Sequence, residues 1–183
     1  MRTRSLFLSL LALALPATLA AQTPAAAAPA ADTPKAEYLA AFDEVATKIQ
    51  QLAEAIPAEK YGWAPTKEVR TVSQVIGHIA GGQYLIMNMA GLPVPADAPK
   101  GEDGLENLKS KAEYVAAIAK ALAFARESAQ NATPEQLAKK VNFFGTDTTA
   151  RGLFLYMYGH MSEHLGQLIA YARSVGVTPP WSK

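Results

Sequence analysis

At 183 residues, half of them hydrophobic and 18% charged, with a formal net charge of +1, the chain has the composition of one globular domain plus extras. No basic run or patch occurs, so nothing points to a nucleic-acid partner. The absence of cysteine excludes a disulfide framework, a thiolate metal site, a cysteine nucleophile and a lipid-modified cysteine.

The first residues form a separate object. Met1-Arg-Thr-Arg4 is a positive stretch, Ser5 to Leu15 is apolar, and small residues around Ala20 and Ala21 suit cleavage. The apolar run is too short to span a bilayer comfortably. Residues 1–21 therefore read as a signal peptide, with an uncleaved anchor as the alternative. The mature protein is expected to be periplasmic or secreted, free of the membrane, and held together by packing alone. Loss of Arg2 and Arg4 would leave 15 basic against 16 acidic residues. Residues 22–33 are Ala/Pro-rich without periodicity and read as a linker.

The folded domain is expected over 34–183. Thr33-Pro34 offers an N-cap followed by proline at the first helical position. Leu39, Phe42, Val45, Ile49, Leu52 and Ile56 then recur at helical spacing, predicting a helix from about Pro34 to Ile56. A loop carrying Tyr61-Gly-Trp63-Ala-Pro65 follows. Thr71-Val-Ser-Gln74 has the form of a capping box. It opens a second helix with Val72, Val75, Ile76, Ile79, Leu85, Ile86 and Met89 inward and Gly91 at its end.

His78 lies at the edge of that apolar arc, facing inward. Gly81-Gly82, one turn later, either clear space beside it or are a tolerated weak point. Residues 92–109 are rich in Pro, Gly and acids and read as a long loop that could limit access to a site. Ser110-Lys-Ala-Glu113 predicts another capping box, starting a helix with Tyr114, Val115, Ile118, Leu122 and Ala125 inward. Thr133 caps a short helix through Lys140, and Val141 to Gly145 reads as an extended turn. Thr148 or Thr149 caps a final long helix that ends before Gly176. With no convincing strand, the expected fold is all-α: a four-helix bundle with a short extra helix before the last long one.

Leu153, Tyr156, Met157, His160, His164, Gln167 and Tyr171 fall on one stripe of that last helix. Two imidazoles one turn apart on one face can grip one metal ion, and the chain's remaining histidine is His78. Inward-facing histidines can equally be core residues satisfied by hydrogen bonds. All three, however, lie on predicted core faces, and facing helices of a bundle are a usual place for metal sites. Three neutral imidazoles without a carboxylate suit zinc or nickel first, then iron, copper or manganese, and leave a coordination position open.

His160-Met-Ser-Glu163-His164 also has the H-x-x-E-H form of a zinc-protease signature. That class needs a carboxylate ligand further along, and no Asp or Glu follows His164. Glu163 reads either as a base or as a solvated or interface acid, bordering a small-residue face of Gly159, Ser162, Gly166 and Ala170 that could receive a helix of this chain or of a second subunit. Gln167 could orient a bound water or substrate, or could be a buried amide bonded to backbone. Tyr156 reads as core packing with its hydroxyl reaching the cavity.

Three features together resemble the DinB-like (DinB/YfiT) superfamily. They are Tyr61-Gly-Trp63-Ala-Pro65 followed closely by Val72 to His78; His160-x-x-x-His164-x-Gly166-Gln167-x-x-x-Tyr171-x-Arg173; and Gly176-x-x-Pro179-Pro180. The resemblance covers about Ala36 to Trp181. It implies a four-helix bundle whose metal is held by three histidines, which correspond here to His78, His160 and His164. It also implies metal-dependent chemistry on a small molecule, in characterised relatives a low-molecular-weight thiol, and a homodimer is common among them.

The expectation is thus an exported protein using one divalent metal to activate thiol or water for group transfer or hydrolysis. The other readings are a non-catalytic periplasmic metal- or small-ligand-binding bundle and a structural bundle whose histidines merely pack.

Overall fold

The computed structural model of the chain describes residues 33–182. The expected signal peptide and nearly all of the linker lie outside them. Among the described residues the helices are α1 (Thr33–Ala55), α2 (Val72–Met89), α3 (Lys111–Asn131), α4 (Pro134–Ala138) and α5 (Ala150–Ser174). No helix there is long and apolar enough to cross a membrane.

The four long helices form the expected bundle. Each of α1 and α2 packs against both α3 and α5, so α1 and α2 sit on a diagonal. The long segment between them spans that diagonal. Its Tyr61 is buried against the core and donates a hydrogen bond to the Ala53 carbonyl, which anchors the loop. Backbone bonds from Val72 to Trp63 and from Ser73 to Tyr61, both 2.9 Å, then launch α2.

α2 is the element the others surround. Its buried residues run from Val72, Val75 and Ile76 through Gln83 and Tyr84 to Ile86 and Met87. A helix apolar all round belongs in an interior. Leu85 and Met89, expected inward, are half-buried instead, and Met87 takes the core position.

Two sides of α2 are covered by α3 and α5. A third is covered by the segment read as an access-limiting loop, which contains a 3-10 turn at Glu102–Leu105 packed on α2. Gly77 makes this possible, because a Cβ there would lie 2.2 Å from the Leu105 carbonyl oxygen and 2.8 Å from the Glu106 Cα.

Capping follows the sequence closely. Thr71–Gln74 and Thr133–Gln136 form full reciprocal boxes. Ser110 accepts from the Glu113 amide, but Glu113 reaches back to the Lys109 amide at 2.8 Å rather than to that of Ser110. Thr149 caps α5, and Gly91 and Gly176 end α2 and α5 with φ of 73° and 82°, a conformation glycine adopts without a Cβ penalty.

One stretch departs from expectation. The short helix ends at Ala138 rather than Lys140, and Val141 to Gly145, read as an extended turn, belong to an antiparallel hairpin of β1 (Lys140–Phe143) and β2 (Thr146–Thr149), with Lys140 opposite Thr149 and Phe143 opposite Thr146. Its two-residue turn, Phe144-Gly145, has φ of 47° and 88°, the positive pair that matches strand twist. The Asn142 side chain stabilises it by accepting from Gly145 N at 2.9 Å and donating to Asp147 at 2.8 Å. Phenylalanine in place of the usual asparagine or aspartate hid the turn.

Gly77→Ala is expected to destabilise the fold by roughly 1–3 kcal/mol, the usual range for overpacking. Gly166→Ala, whose Cβ would meet nothing within 4 Å, should be neutral or stabilising by up to about 1 kcal/mol. Urea denaturation of both variants checks this; equal effects would contradict the close docking of the turn on α2.

Candidate metal centre

His78 projects from buried α2 and is itself 5% exposed. His160 and His164, one turn apart on α5, are half-buried and reach across to it. The three rings form a near-regular triangle: 5.0 Å between the centroids of His78 and His160, 4.7 Å between His78 and His164, and 4.6 Å between His160 and His164. One ligating nitrogen of each lies within 4.8 Å of the others.

The Nε2 atoms of His78 and His160 are 3.0 Å apart. Two nitrogens bound to one zinc at about 2.0–2.1 Å would be roughly 3.3 Å apart at a tetrahedral angle. The glycine pair in α2 takes on a specific meaning here. A Cβ on Gly82 would lie 3.0 Å from His160 Cε1, so Gly82 makes room for a side chain from the facing helix.

The pair on α5 is braced from outside. Gln167 Oε1 lies 2.8 Å from His164 Nδ1. A carbonyl oxygen only accepts, so Nδ1 carries the proton and the His164 Nε2 lone pair is left for the centre. Gln167 Nε2 donates to the Tyr171 hydroxyl at 2.9 Å, and that hydroxyl donates to the Arg70 carbonyl at 3.2 Å. Trp63 packs edge-on against Tyr171, centroids 5.2 Å apart. Gln167 therefore supports a ligating histidine from behind, and its amide bonds to side chains rather than to backbone.

Three functional neighbours were not anticipated: Arg70, Asp103 and Glu106. The docked turn places Glu106 Oε1 3.4 Å and Asp103 Oδ1 3.6 Å from His78 Nδ1. Arg70 grips both acids, Nε to Glu106 at 2.7 Å and Nη2 to Asp103 at 3.0 Å. Burial raises the Glu106 carboxyl above its ordinary range while Arg70 pulls it back. Hydrogen bonding with Glu106, then with Arg70 and His78, lowers that of Asp103. His78 and these two acids form a second group whose ligand atoms lie within 4.8 Å of one another. The acids were visible in the sequence, but no spacing rule links them to His78; Gly77 was the one local sign of a close approach.

One expectation about the site is corrected. Tyr156 is not core packing: it is 49% exposed and lies at the rim, nearly parallel to His160 with centroids 6.4 Å apart and 4.4 Å from the ring of Phe143. Phe143 of the hairpin is the ring that packs on Tyr156 here. Glu163 is exposed and belongs to neither ligand group, as the reading of it as a solvated or interface acid has it. The neighbouring Gly159, Gly166 and Ala170 are exposed as well, so no described helix packs on that face.

The donor set fits a divalent borderline metal. His160 Nδ1 is buried without a hydrogen-bond partner among the described residues, an arrangement costing about 1–3 kcal/mol. Burial, followed by the charges of His164 and His78, pushes the His160 pKa down to about 3. His160 is therefore neutral and able to ligate across the physiological range.

Comparison with known proteins agrees with this architecture. A family model described as the DinB family matches residues 28–183. A DinB-like protein from Bacillus cereus is similar in structure with a TM-score of 0.69 at 19% identity, over 78% of this chain and 93% of that one. A DinB-like protein from Bacillus subtilis, YjoA, gives 0.62 at 20% identity over 78% and 93%. YfiT from Bacillus subtilis, described as a probable metal-dependent hydrolase with an unusual four-helix bundle topology, gives 0.60 at 19% identity over 81% and 91%. No curated protein matches the chain.

The low pKa of His160 has a consequence for the metal-free protein. The unfolded chain protonates this residue near 6.5, whereas the native state leaves it neutral down to about 3. The unfolded state thus binds the extra proton throughout that window, and native stability falls as the pH drops through it, by at most about 1.4 kcal/mol per pH unit. Denaturation in chelator between pH 7 and 4 should show His160→Gln losing less stability than wild type; parallel pH profiles would contradict the buried, neutral state.

Proposed function

Because the chain belongs to the DinB family, we propose that it is an exported metal-dependent protein acting on a small molecule. Its His78, His160 and His164 would hold one divalent ion, zinc or nickel before iron, copper or manganese. The observation that carries this reading is the convergence of three imidazoles, from two facing helices, on one point. Bound there, the ion would supply Lewis acidity and lower the pKa of a water or thiol.

The chain's own residues do the rest. Gln167 fixes the tautomer of His164, and Gly82 admits the ring of His160. The half-buried pair on α5 keeps one side of the centre accessible, and Tyr156 and Phe143 give that side an aromatic rim on which a small molecule can rest.

Hydrolysis is the favoured reaction. The description of YfiT as a probable metal-dependent hydrolase supports it, and water is available wherever an exported protein goes. Transfer to a low-molecular-weight thiol is the second chemistry this family makes plausible. A non-catalytic metal- or ligand-binding bundle would share the same site and differ only in turnover.

Protein purified without a histidine tag is expected to bind one divalent ion per chain. His78→Ala, His160→Ala and His164→Ala should each lower that affinity at least tenfold, read by competition with a chromogenic chelator. Unchanged affinity in all three would refute the site. At a hundredfold excess of free metal over Kd, the wild type should gain about 2.7 kcal/mol of stability. Activated esters and amides, and electrophiles supplied with thiols, should then be turned over by loaded protein and not after chelation; binding without turnover would favour the non-catalytic reading.

A further inference from the structure

His78 stands between two sets of groups. Its Nε2 faces His160 Nε2 at 3.0 Å, while its Nδ1 faces Glu106 Oε1 at 3.4 Å and Asp103 Oδ1 at 3.6 Å. The two acids are not equivalent. The Asp103 side chain is 68% exposed and that of Glu106 only 11%. Glu106 is also held at both ends: Arg70 Nε donates to its carboxylate at 2.7 Å, and the Tyr114 hydroxyl donates to its backbone carbonyl at 2.6 Å. The contact of Leu105 and Glu106 with Gly77 seats this backbone one residue from His78 in α2. Three different elements thus combine to hold one largely buried carboxyl group 3.4 Å from one nitrogen.

From this we infer that Glu106, clamped by Arg70, is a positioning residue for His78: it holds the imidazole as the Nδ1–H tautomer and turns the Nε2 lone pair into the triad. The inference rests on the triad holding a metal. The physical reason is the behaviour of ligating imidazoles generally. A carboxylate on the distal nitrogen fixes the tautomer and ring orientation and makes the ligating nitrogen a better donor, and its loss typically lowers metal affinity 10- to 100-fold. In this chain Gln167 serves His164 in the same way with a neutral carbonyl at 2.8 Å, and the Glu106 carboxyl group is the side chain that stands 3.4 Å from Nδ1 of the most buried ring.

The same groups could be taken as a second cation site made of His78, Asp103 and Glu106. Arg70 argues against it, because its guanidinium already donates to the same Glu106 and Asp103 oxygens that face His78 and supplies their counter-charge.

Cobalt(II), whose visible absorption reports coordination, tests this in the full chain by titration and chelator competition. Wild type should take up one ion. Glu106→Ala should weaken binding 10- to 100-fold, Glu106→Gln, which keeps a hydrogen-bond acceptor, should recover part of that loss, and Asp103→Asn should change it less than threefold. Arg70→Gln, which unclamps the carboxylate, should fall between wild type and Glu106→Ala.

Thermal melts of the metal-free proteins control for damage to the docked turn. If Glu106→Ala and Arg70→Gln melt alike yet differ in cobalt affinity in the stated order, Glu106 acts through His78. Wild-type affinity in Glu106→Ala overturns the inference and reduces Glu106 to an anchor of the turn, while the triad stands. Two ions per wild-type chain, one of them lost in both Glu106→Ala and Asp103→Asn, overturns it in favour of the second cation site. No cobalt uptake by wild type would remove the triad reading, and this inference with it.

Discussion

The structure turns on a meeting across one helix contact: two histidines of α5, one of them lying over Gly82, reach a histidine of α2. Neither helix carries a site alone. His160 and His164 supply two nitrogens at a spacing any helix can offer, and His78 by itself is a buried polar residue of the kind that cores usually satisfy by hydrogen bonds. Their meeting requires α5 to lie close beside α2, and the missing side chain at Gly82 permits that closeness. A glycine inside a helix costs about 1 kcal/mol relative to alanine, so its presence at the point of contact with an imidazole is a local sacrifice of stability for geometry.

The rest of the bundle serves to hold α2 still. It is buried nearly all round, with α3 and α5 on two sides and the Glu102–Leu105 turn on a third. The turn approaches closely because Gly77 presents bare backbone, and it is tied down by Arg70 from the preceding loop. The Tyr61–Trp63 loop takes part at a distance: Tyr61 anchors it to the end of α1, and Trp63 braces the Tyr171 hydroxyl that supports Gln167 and so His164. Residues a hundred positions apart in sequence thereby join in one chain of contacts that ends on His164.

Much of this was legible beforehand, because the signals concerned are local. Period-3.6 apolar patterns, threonine and serine caps and terminal glycines act over a few residues, and they placed the four long helices and the stripe bearing His160 and His164. What spacing could not supply was how that stripe faces His78; the family resemblance supplied that expectation. The acidic neighbours of His78 stayed hidden for a similar reason. Asp103 and Glu106 lie in a Pro- and Gly-rich stretch without periodicity, and only the fit of that stretch onto Gly77 gives them a partner. The hairpin was missed because Phe144 adopts a positive φ that sequence reasoning reserves for glycine, asparagine and aspartate. That miss moved Tyr156 from the core, where periodicity put it, to an exposed rim beside the site.

The central claim is that three imidazole nitrogens converge on one metal ion, and X-ray absorption at the metal edge tests it most directly. In protein loaded with one equivalent of zinc, the account predicts a nitrogen-dominated shell near 2.0–2.1 Å, with the outer-shell scattering of three imidazoles and one further light atom. A shell of oxygens only, or the signature of a single imidazole, would contradict it.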